Sequence, residues 1–329
     1  MVLATRNKVL IEPLQDKLNL KRQSARAYAS QIRKLHTLMN VPGSLTFEFL
    51  DSDKAVKRVA DIINVGQRKN MASAALAGTR AAEMSLVRQN KYRKVMMDAD
   101  ADYKQWASSG VRNKGFTGKA DQLWKMVKSL HKKVGRVVSA KNLFRRSTHT
   151  FPDLVVLQHF VYCKLLHHFE PRRLEYSSLR FLTPTQLATF SSAEQKTMNY
   201  ILTTTRGKWK LVYNSYKTAR TYGQQVYDIP PGFKTTLKKI QRIFAERVPA
   251  GWVFFARNGK PMTHSSFSKF IKDLFKTYVG KPWTQNTIRS IRVSALFKHA
   301  APAKEIIEAQ AGMGSKMSTM NLHYRVPQS

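Results

Sequence analysis

Residues 199–231 read NYILTTTRGKWKLVYNSYKTARTYGQQVYDIPP, and within them the periodicity of the chain changes. Asn199–Thr205, Trp209–Tyr213 and Gln225–Ile229 are short and rich in β-branched and aromatic residues, the pattern of strands. Pro230-Pro231-Gly232 ends the run. Short connections between such strands predict a small antiparallel sheet. Downstream, helices are expected over Thr235–Arg247, Ser265–Tyr278, Thr287–Lys298 and Lys304–Gln310, followed by Gly312, Gly314 and a short segment to Tyr324. Upstream, Leu154–His168 reads as a buried helix, Thr183-Pro184-Thr185 opens a further region, and Ser192-Ala193-Glu194-Gln195 has the look of a helix N-terminus. Residues 150–329 are therefore expected to form one domain, mainly α with a small antiparallel sheet. No doubly wound sheet, Gly-rich phosphate loop or internal repeat is visible.

The first 103 residues carry no strand pattern and read as a helical domain. Ser24, Tyr28, Ile32, Leu35 and Met39 recur at helical spacing and predict an apolar stripe beside Arg22, Arg26, Arg33 and Lys34, ended by Pro42-Gly43. Val56, Val59, Ile62 and Ile63 predict a second, short helix. The alanine-rich stretch from Met71 to Val87 predicts a helix able to pack closely on a neighbour. Residues 104–149 differ, holding twelve Lys and Arg between 104 and 146 against the single acid Asp121. Gly110, Gly115 and Gly118 break their first half, while Leu123, Trp124, Met126, Val127, Leu130 and Val134 suggest a helix in the second. So one-sided a run repels itself until something anionic neutralises it, so it is expected to be a linker plus a helix facing a polyanion through Lys125, Lys128, Lys132, Lys133 and Arg136.

Over the 329 residues, 57 Lys and Arg stand against 20 Asp and Glu, a net charge of +37. With 43% hydrophobic residues the chain can build real cores, which excludes a disordered basic tail and makes nucleic acid the expected partner. The lone Cys163 excludes a disulfide scaffold, a thiolate zinc module and an iron–sulfur cluster; it reads as a small buried hydrophobe. The longest apolar stretch, Val155–Phe169, is interrupted by Gln158, His159, Lys164, His167 and His168, so no membrane span is expected. The N-terminus lacks a signal-peptide core of sufficient length, and an intracellular, non-secreted protein is expected.

Four short motifs bear chemistry. Residues 171–179, PRRLEYSSL, offer adjacent arginines, whose planar forks suit two phosphate oxygens, and Glu175. Residues 216–223, YKTARTYG, put Lys217 between two strands; Lys208 and Lys210 are the alternatives. In residues 286–294, NTIRSIRVS, the buried stripe of Ile288 and Ile291, continued by Ala295 and Leu296, leaves Arg289 on another side, with Arg292 three residues on. Residues 311–315, AGMGS, are followed nine residues after Ser315 by Tyr324.

In their order along the chain, these motifs and elements resemble the tyrosine recombinase (phage-type integrase) family. The helical N-terminal part is similar to that family's core-binding domain, Ser24 and Tyr28 holding the places of a Ser/Thr that opens a helix and an aromatic four residues on; the C-terminal part is similar to its α+β catalytic domain. The resemblance implies a site-specific recombinase or integrase, of the kind carried by mobile elements and viruses, cutting and rejoining double-stranded DNA through a 3′-phosphotyrosine. It implies Tyr324 as nucleophile, Arg172 and Arg289 as the phosphate clamp, Lys217 as the acid on the leaving 5′ oxygen, and Glu175 as the supporting acid. Arg173 replaces Arg172 if the register shifts by one. The two family histidines are replaced by Asn286 and Ser315, with His264, His299 or His323 able to lend an imidazole. No metal and no cofactor is implied, and a homo-oligomer is: a dimer on one site and a tetramer in synapsis. DNA contacts are expected from Arg22, Arg26, Arg33, Arg292 and the basic helix, in the nucleus if the host is eukaryotic. The alternative is a catalytically decayed recombinase scaffold that only binds or shapes DNA.

Overall fold

The computed structural model describes residues 8–108, 116, 118–298, 301–315 and 320. Contacts divide the chain into two units, Met1–Arg112 and Asn113–Ser329.

The first unit is helical: α1 (Lys8–Asp16), α2 (Arg22–Leu38), α3 (Asp53–Ala60), α4 (Val65–Ala81) and α5 (Leu86–Ser108). Ser52 caps α3 and Asn64 caps α4, each accepting from a backbone N–H of the first turn. The alanines of α4 pack closely, as their composition leads one to expect: Ala72, Ala74, Ala75, Ala77 and Ala81 are buried. A Cβ added to Gly78 would lie 2.7 Å from Leu50 Cδ1 and 3.1 Å from both Ile32 Cδ1 and Phe47 Cδ1. That proximity rotates α2 from its expected setting. Its buried face is Ala25, Ala29, Ile32 and Leu35, while Ser24 is exposed and Tyr28 and Met39 are half-buried. Small residues, and not the larger side chains, lie where two backbones approach.

In the second unit α6 (Ala120–Ala140) packs on α7 (Phe151–His168) and on α10 (Gln285–Lys298); α8 (Pro231–Arg247), α9 (His264–Val279) and α11 (Ala303–Met313) complete it. Within the basic stretch, residues 104–108 continue α5, residues 109–115 and 117, where the linker is expected, lie outside the described residues, and α6 is built into the second unit's core through Ala120, Trp124, Val127, Leu130, Val134 and Val138. The sheet has order β1 (Arg180–Leu182), β2 (Asn199–Leu202), β3 (Lys210–Tyr213), β4 (Gln225–Asp228). The last three strands pair antiparallel as expected, but β1 runs parallel to β2, so the sheet is mixed. The crossover between them holds two single helical turns, each opened by a capping box, Thr183 with Gln186 and Ser191 with Glu194. Among the described residues no helix is long and apolar enough to cross a membrane.

An aromatic cluster fills the centre of this unit: the Tyr162 ring meets Tyr176, Phe254, Phe267 and Phe270 edge-on, and the adjacent Cys163 is fully buried. His159 lies between Phe270 and Tyr278, ring centroids 4.7 and 5.9 Å away, and neither of its nitrogens has a hydrogen-bond partner among the described residues. Burial pushes its pKa down to about 4, with Asp273 pulling the other way. Above the ordinary imidazole pKa both folded and unfolded chains hold it neutral. Below that value only the unfolded chain takes up the proton, so stability is lost progressively from about pH 6.5 towards 4, by up to ~3 kcal/mol from this ring. Urea unfolding of His159→Phe at pH 7.5 and 4.5 should show a smaller loss on acidification than the wild-type chain; an equal loss would remove His159 from the account.

Candidate active site

The chain leaves α7 through Phe169 and runs Glu170-Pro171-Arg172 beneath the sheet. Along β4 the burial alternates, so that Gln225 and Tyr227 share its half-buried face while Val226 and Asp228 are exposed. Register places Tyr213 of β3 opposite Gln225 and Leu211 opposite Tyr227. The Arg172 guanidinium, 1% exposed, lies over this face: its central carbon is 4.3 Å from the Tyr213 ring centroid, 5.0 Å from Tyr216 and 6.0 Å from Tyr227. Its Nη2 donates to Gln225 Oε1 and, at 3.2 Å, to Tyr227 Oη. Nη1 is buried and has no hydrogen-bond partner, and Arg172 makes no ion pair, among the described residues. The backbone is held as well, because Gln285 Nε2 donates to the Arg172 carbonyl while Gln285 Oε1 accepts from Tyr162 Oη.

Arg289 is fully buried too. The expected apolar stripe of Ile288, Ile291, Ala295 and Leu296 is buried, but so are Ser290, Val293 and Ser294, for α10 is buried or half-buried throughout from Thr287 to Phe297, and Arg289 does not face solvent. Its Nη1 donates to the carbonyls of Pro171 and Met313, both at 2.9 Å, and its Nη2 to Ser315 Oγ. The two arginines thus meet one short turn from two directions. Gly314 closes α11 in the left-handed conformation (φ 58°), with Gly314 N and Ser315 N returning to the Ala311 and Gln310 carbonyls. This reversal carries Ser315 Oγ to Arg289. A Cβ on Gly314 would lie 2.9 Å from Arg172 Nη1 and 3.1 Å from Tyr216 Cδ2.

The connection between β3 and β4 is fastened to the same turn. Thr218 Oγ1 donates to the Gly314 carbonyl at 2.8 Å, Tyr222 Oη to the Ser315 carbonyl at 3.0 Å, and Gln225 Nε2 to the Ala311 carbonyl at 3.1 Å. Gln310 Nε2 in turn donates to Tyr222 Oη at 2.7 Å. Lys217 is exposed between Tyr216 and Thr218, at the rim of this arrangement, whereas Lys208 pairs with Asp228 at 2.9 Å.

The remaining sequence candidates are distributed unevenly. Asn286 is exposed in the first turn of α10, and it is Gln285, one residue earlier, that reaches inward. Glu175 is half-buried in a short 3-10 turn, its Oε2 without a hydrogen-bond partner among the described residues. Arg173 is half-buried beside it. Tyr324, His323 and His299 lie outside the described residues. On α6, Lys125, Lys132 and Arg136 are exposed; Lys133 is exposed too but its Nζ donates to the Tyr278 carbonyl at 2.5 Å, and Lys128 is turned back: its Nζ donates to the His167 carbonyl and sits 5.5 Å from the Trp124 ring centroid, and burial lowers its pKa. Arg292, expected at DNA, is engaged elsewhere. It forms a two-pronged pair with Glu170 (2.7–3.1 Å), reaches Glu305 at 3.3 Å and lies over Trp124, since a desolvated arginine is held best by a carboxylate. In the first unit Arg22 and Arg26 are exposed, while Arg33 is half-buried. Among the described residues no group of three or more His, Cys, Asp or Glu side chains is placed to hold a metal ion.

No family model matches the chain, and no curated protein matches it. Among solved structures it is similar to one titled "Crystal structure of XerA recombinase", at 10% sequence identity and a TM-score of 0.37, over 98% of this chain and 94% of that one.

Gly314→Ala tests whether this turn shapes the site. The left-handed backbone alone should cost about 1 kcal/mol. The new methyl would also press on the Arg172 guanidinium, which the aromatic rings hold in place. A urea midpoint unchanged from wild type would mean that the turn relaxes freely and that its shape is not required.

Proposed function

We propose that this chain is a DNA strand transferase of the tyrosine recombinase type, acting inside the cell as a homo-oligomer on double-stranded DNA. The observation that carries this reading is Arg172: a buried guanidinium whose partners among the described residues are neutral and leave Nη1 unoccupied, with Arg289 converging on the same Gly314 turn. A charge removed from water is costly unless something of opposite sign joins it, and a phosphodiester brings both the charge and the acceptor oxygens. The net charge of +37 favours a polyanionic substrate.

In the reaction so read, the phenolic oxygen of Tyr324 gives up its proton to water and attacks the scissile phosphorus, and the bond to the 5′ oxygen breaks, leaving a 3′-phosphotyrosine. Arg172 and Arg289 meet the charge growing on the non-bridging oxygens. Lys217, exposed at the rim, gives its proton to the departing 5′ oxygen. A 5′-hydroxyl of a second strand reverses the step, conserving the phosphodiester, so no nucleotide hydrolysis is needed. A second reading, a scaffold that binds DNA without cutting it, is favoured by Asn286 and Ser315. Asn286 faces solvent, and the Ser315 hydroxyl accepts from Arg289; neither can shuttle a proton near neutral pH as an imidazole does.

A nicked suicide substrate, from which the short strand diffuses away, separates the two. A covalent protein–DNA adduct should accumulate in EDTA without ATP and be absent in Tyr324→Phe. Adduct formation by Tyr324→Phe would move the nucleophile elsewhere; none from the wild-type chain on a verified cognate site would favour the binding-only scaffold. If Asn286→His with Ser315→His gains cleavage, that scaffold is a decayed site.

Arg172→Ala and Arg289→Ala should each slow adduct formation by at least ~100-fold. Duplex affinity, measured with the unfolding midpoint of each variant, should change only a few-fold because many other cations remain. Loss of affinity in step with cleavage would make these arginines general DNA contacts.

A further inference from the structure

Gln225 meets the buried Arg172 guanidinium with an amide, where desolvation of the charge favours a carboxylate. Its Oε1 accepts from Arg172 Nη2 and, at 2.9 Å, from Tyr227 Oη; its Nε2 donates to the Ala311 carbonyl at 3.1 Å. One amide therefore joins the buried guanidinium, the sheet and the last turn of α11. A glutamate of the same length would hold Arg172 by a stronger, charge-assisted bond. Arg292 of this unit is held that way, against Glu170 and Glu305. Arg172 instead has an amide, a phenol and three aromatic faces, none of which cancels its charge.

We infer that Gln225 is a positioning residue that aims the Arg172 guanidinium while leaving its positive charge unspent, and that its being an amide and not an acid keeps the site open to a phosphate. It acts through Arg172 and need not touch DNA. The inference rests on the proposed phosphate-handling function and adds to it a residue that no motif marks. An acid at this position would satisfy the guanidinium internally and compete with the substrate oxygens. An apolar residue would leave the charge available but the fork unaimed.

The two substitutions Gln225→Glu and Gln225→Met separate aiming from mere bracing. Both substitutions remove the Nε2 donor to the Ala311 carbonyl, so a residue that only braced the sheet against α11 would lose cleavage in step with the unfolding midpoint of each variant. The inference expects losses beyond what the midpoints account for, larger for the acid: on the nicked substrate, Gln225→Glu should form adduct at least ~100-fold more slowly and Gln225→Met ~10-fold. The DNA concentration at half-saturation should stay within about two-fold in both, because so many other cations contact phosphates.

A second measurement needs no cleavage. The thermal midpoint of the full chain is followed against inorganic phosphate for wild type, Arg172→Ala and Gln225→Glu, each first unfolded without added phosphate to show that it is folded. The part of the phosphate response that vanishes in Arg172→Ala should vanish equally in Gln225→Glu. If that part persists in Gln225→Glu, or if glutamate cleaves faster than methionine, the role given to Gln225 is wrong while the phosphate reading stands. If wild type and Arg172→Ala respond identically, the phosphate reading fails and this inference falls with it.

Discussion

A positive charge that has been taken out of water without a negative one beside it has to be tolerated by everything around it. Among the described residues Arg172 makes no ion pair, and much of the second unit can be understood as the arrangement that tolerates its charge. Three tyrosine rings turn their faces or edges to the guanidinium, each such contact contributing about 0.5 to 2 kcal/mol according to its desolvation. Gln225 and Tyr227 fix one edge of the fork, and Gln285 fixes the carbonyl of the same residue from the opposite element. For these groups to meet, the sheet must present one face of β3 and β4 together, α10 must begin directly beneath, and α11 must end on a glycine.

Arginine is used in two ways within one unit. Arg292 joins Glu170 and Glu305 and holds the start of the Arg172 segment against α10 and α11. Glu170 is also the residue that a side chain on Gly312 would strike, its Cβ and Cγ lying 2.9 Å from such a Cβ. Arg292 is neutralised by the carboxylates of Glu170 and Glu305, whereas Arg172, two residues from Glu170, makes no ion pair among the described residues. Their closeness along the chain means that both guanidinium environments are set by the same short segment.

Much of this was legible before any coordinates. The strands at 199–205, 209–213 and 225–229 and the helices that follow them lie where the hydrophobic pattern put them, give or take the end residues. The three-residue β1 was not visible, because so short a run shows no alternation, and its parallel pairing with β2 depends on the returning chain near Gly251, whose carbonyl accepts from Phe181 N. The α2 face was read slightly rotated, for alanine carries little weight in a hydrophobic pattern yet marks close backbone approach. The stripe of Ile288 and Ile291 put Arg289 on another side of α10, but its full burial depends on distant elements that such a pattern does not show. The pairing of Arg292 was hidden for a related reason, since its partner Glu170 is 122 residues away. Gln225 carried one weak signal, its two-residue spacing from Tyr227 in β4, in a sequence where amides are too common to stand out.

Helix α6 has two faces with different obligations. Trp124, Val127, Leu130, Val134 and Val138 are locked into the core, whereas Lys125, Lys132 and Arg136 protrude along the other side and brace no part of it. Substitutions on the inner face are judged by whether the protein folds, whereas those on the outer face leave the core untouched. The two sets of positions can therefore drift at different speeds. A lineage can alter the charge carried along the outer row while the inner seam, and the fold it secures, hardly changes.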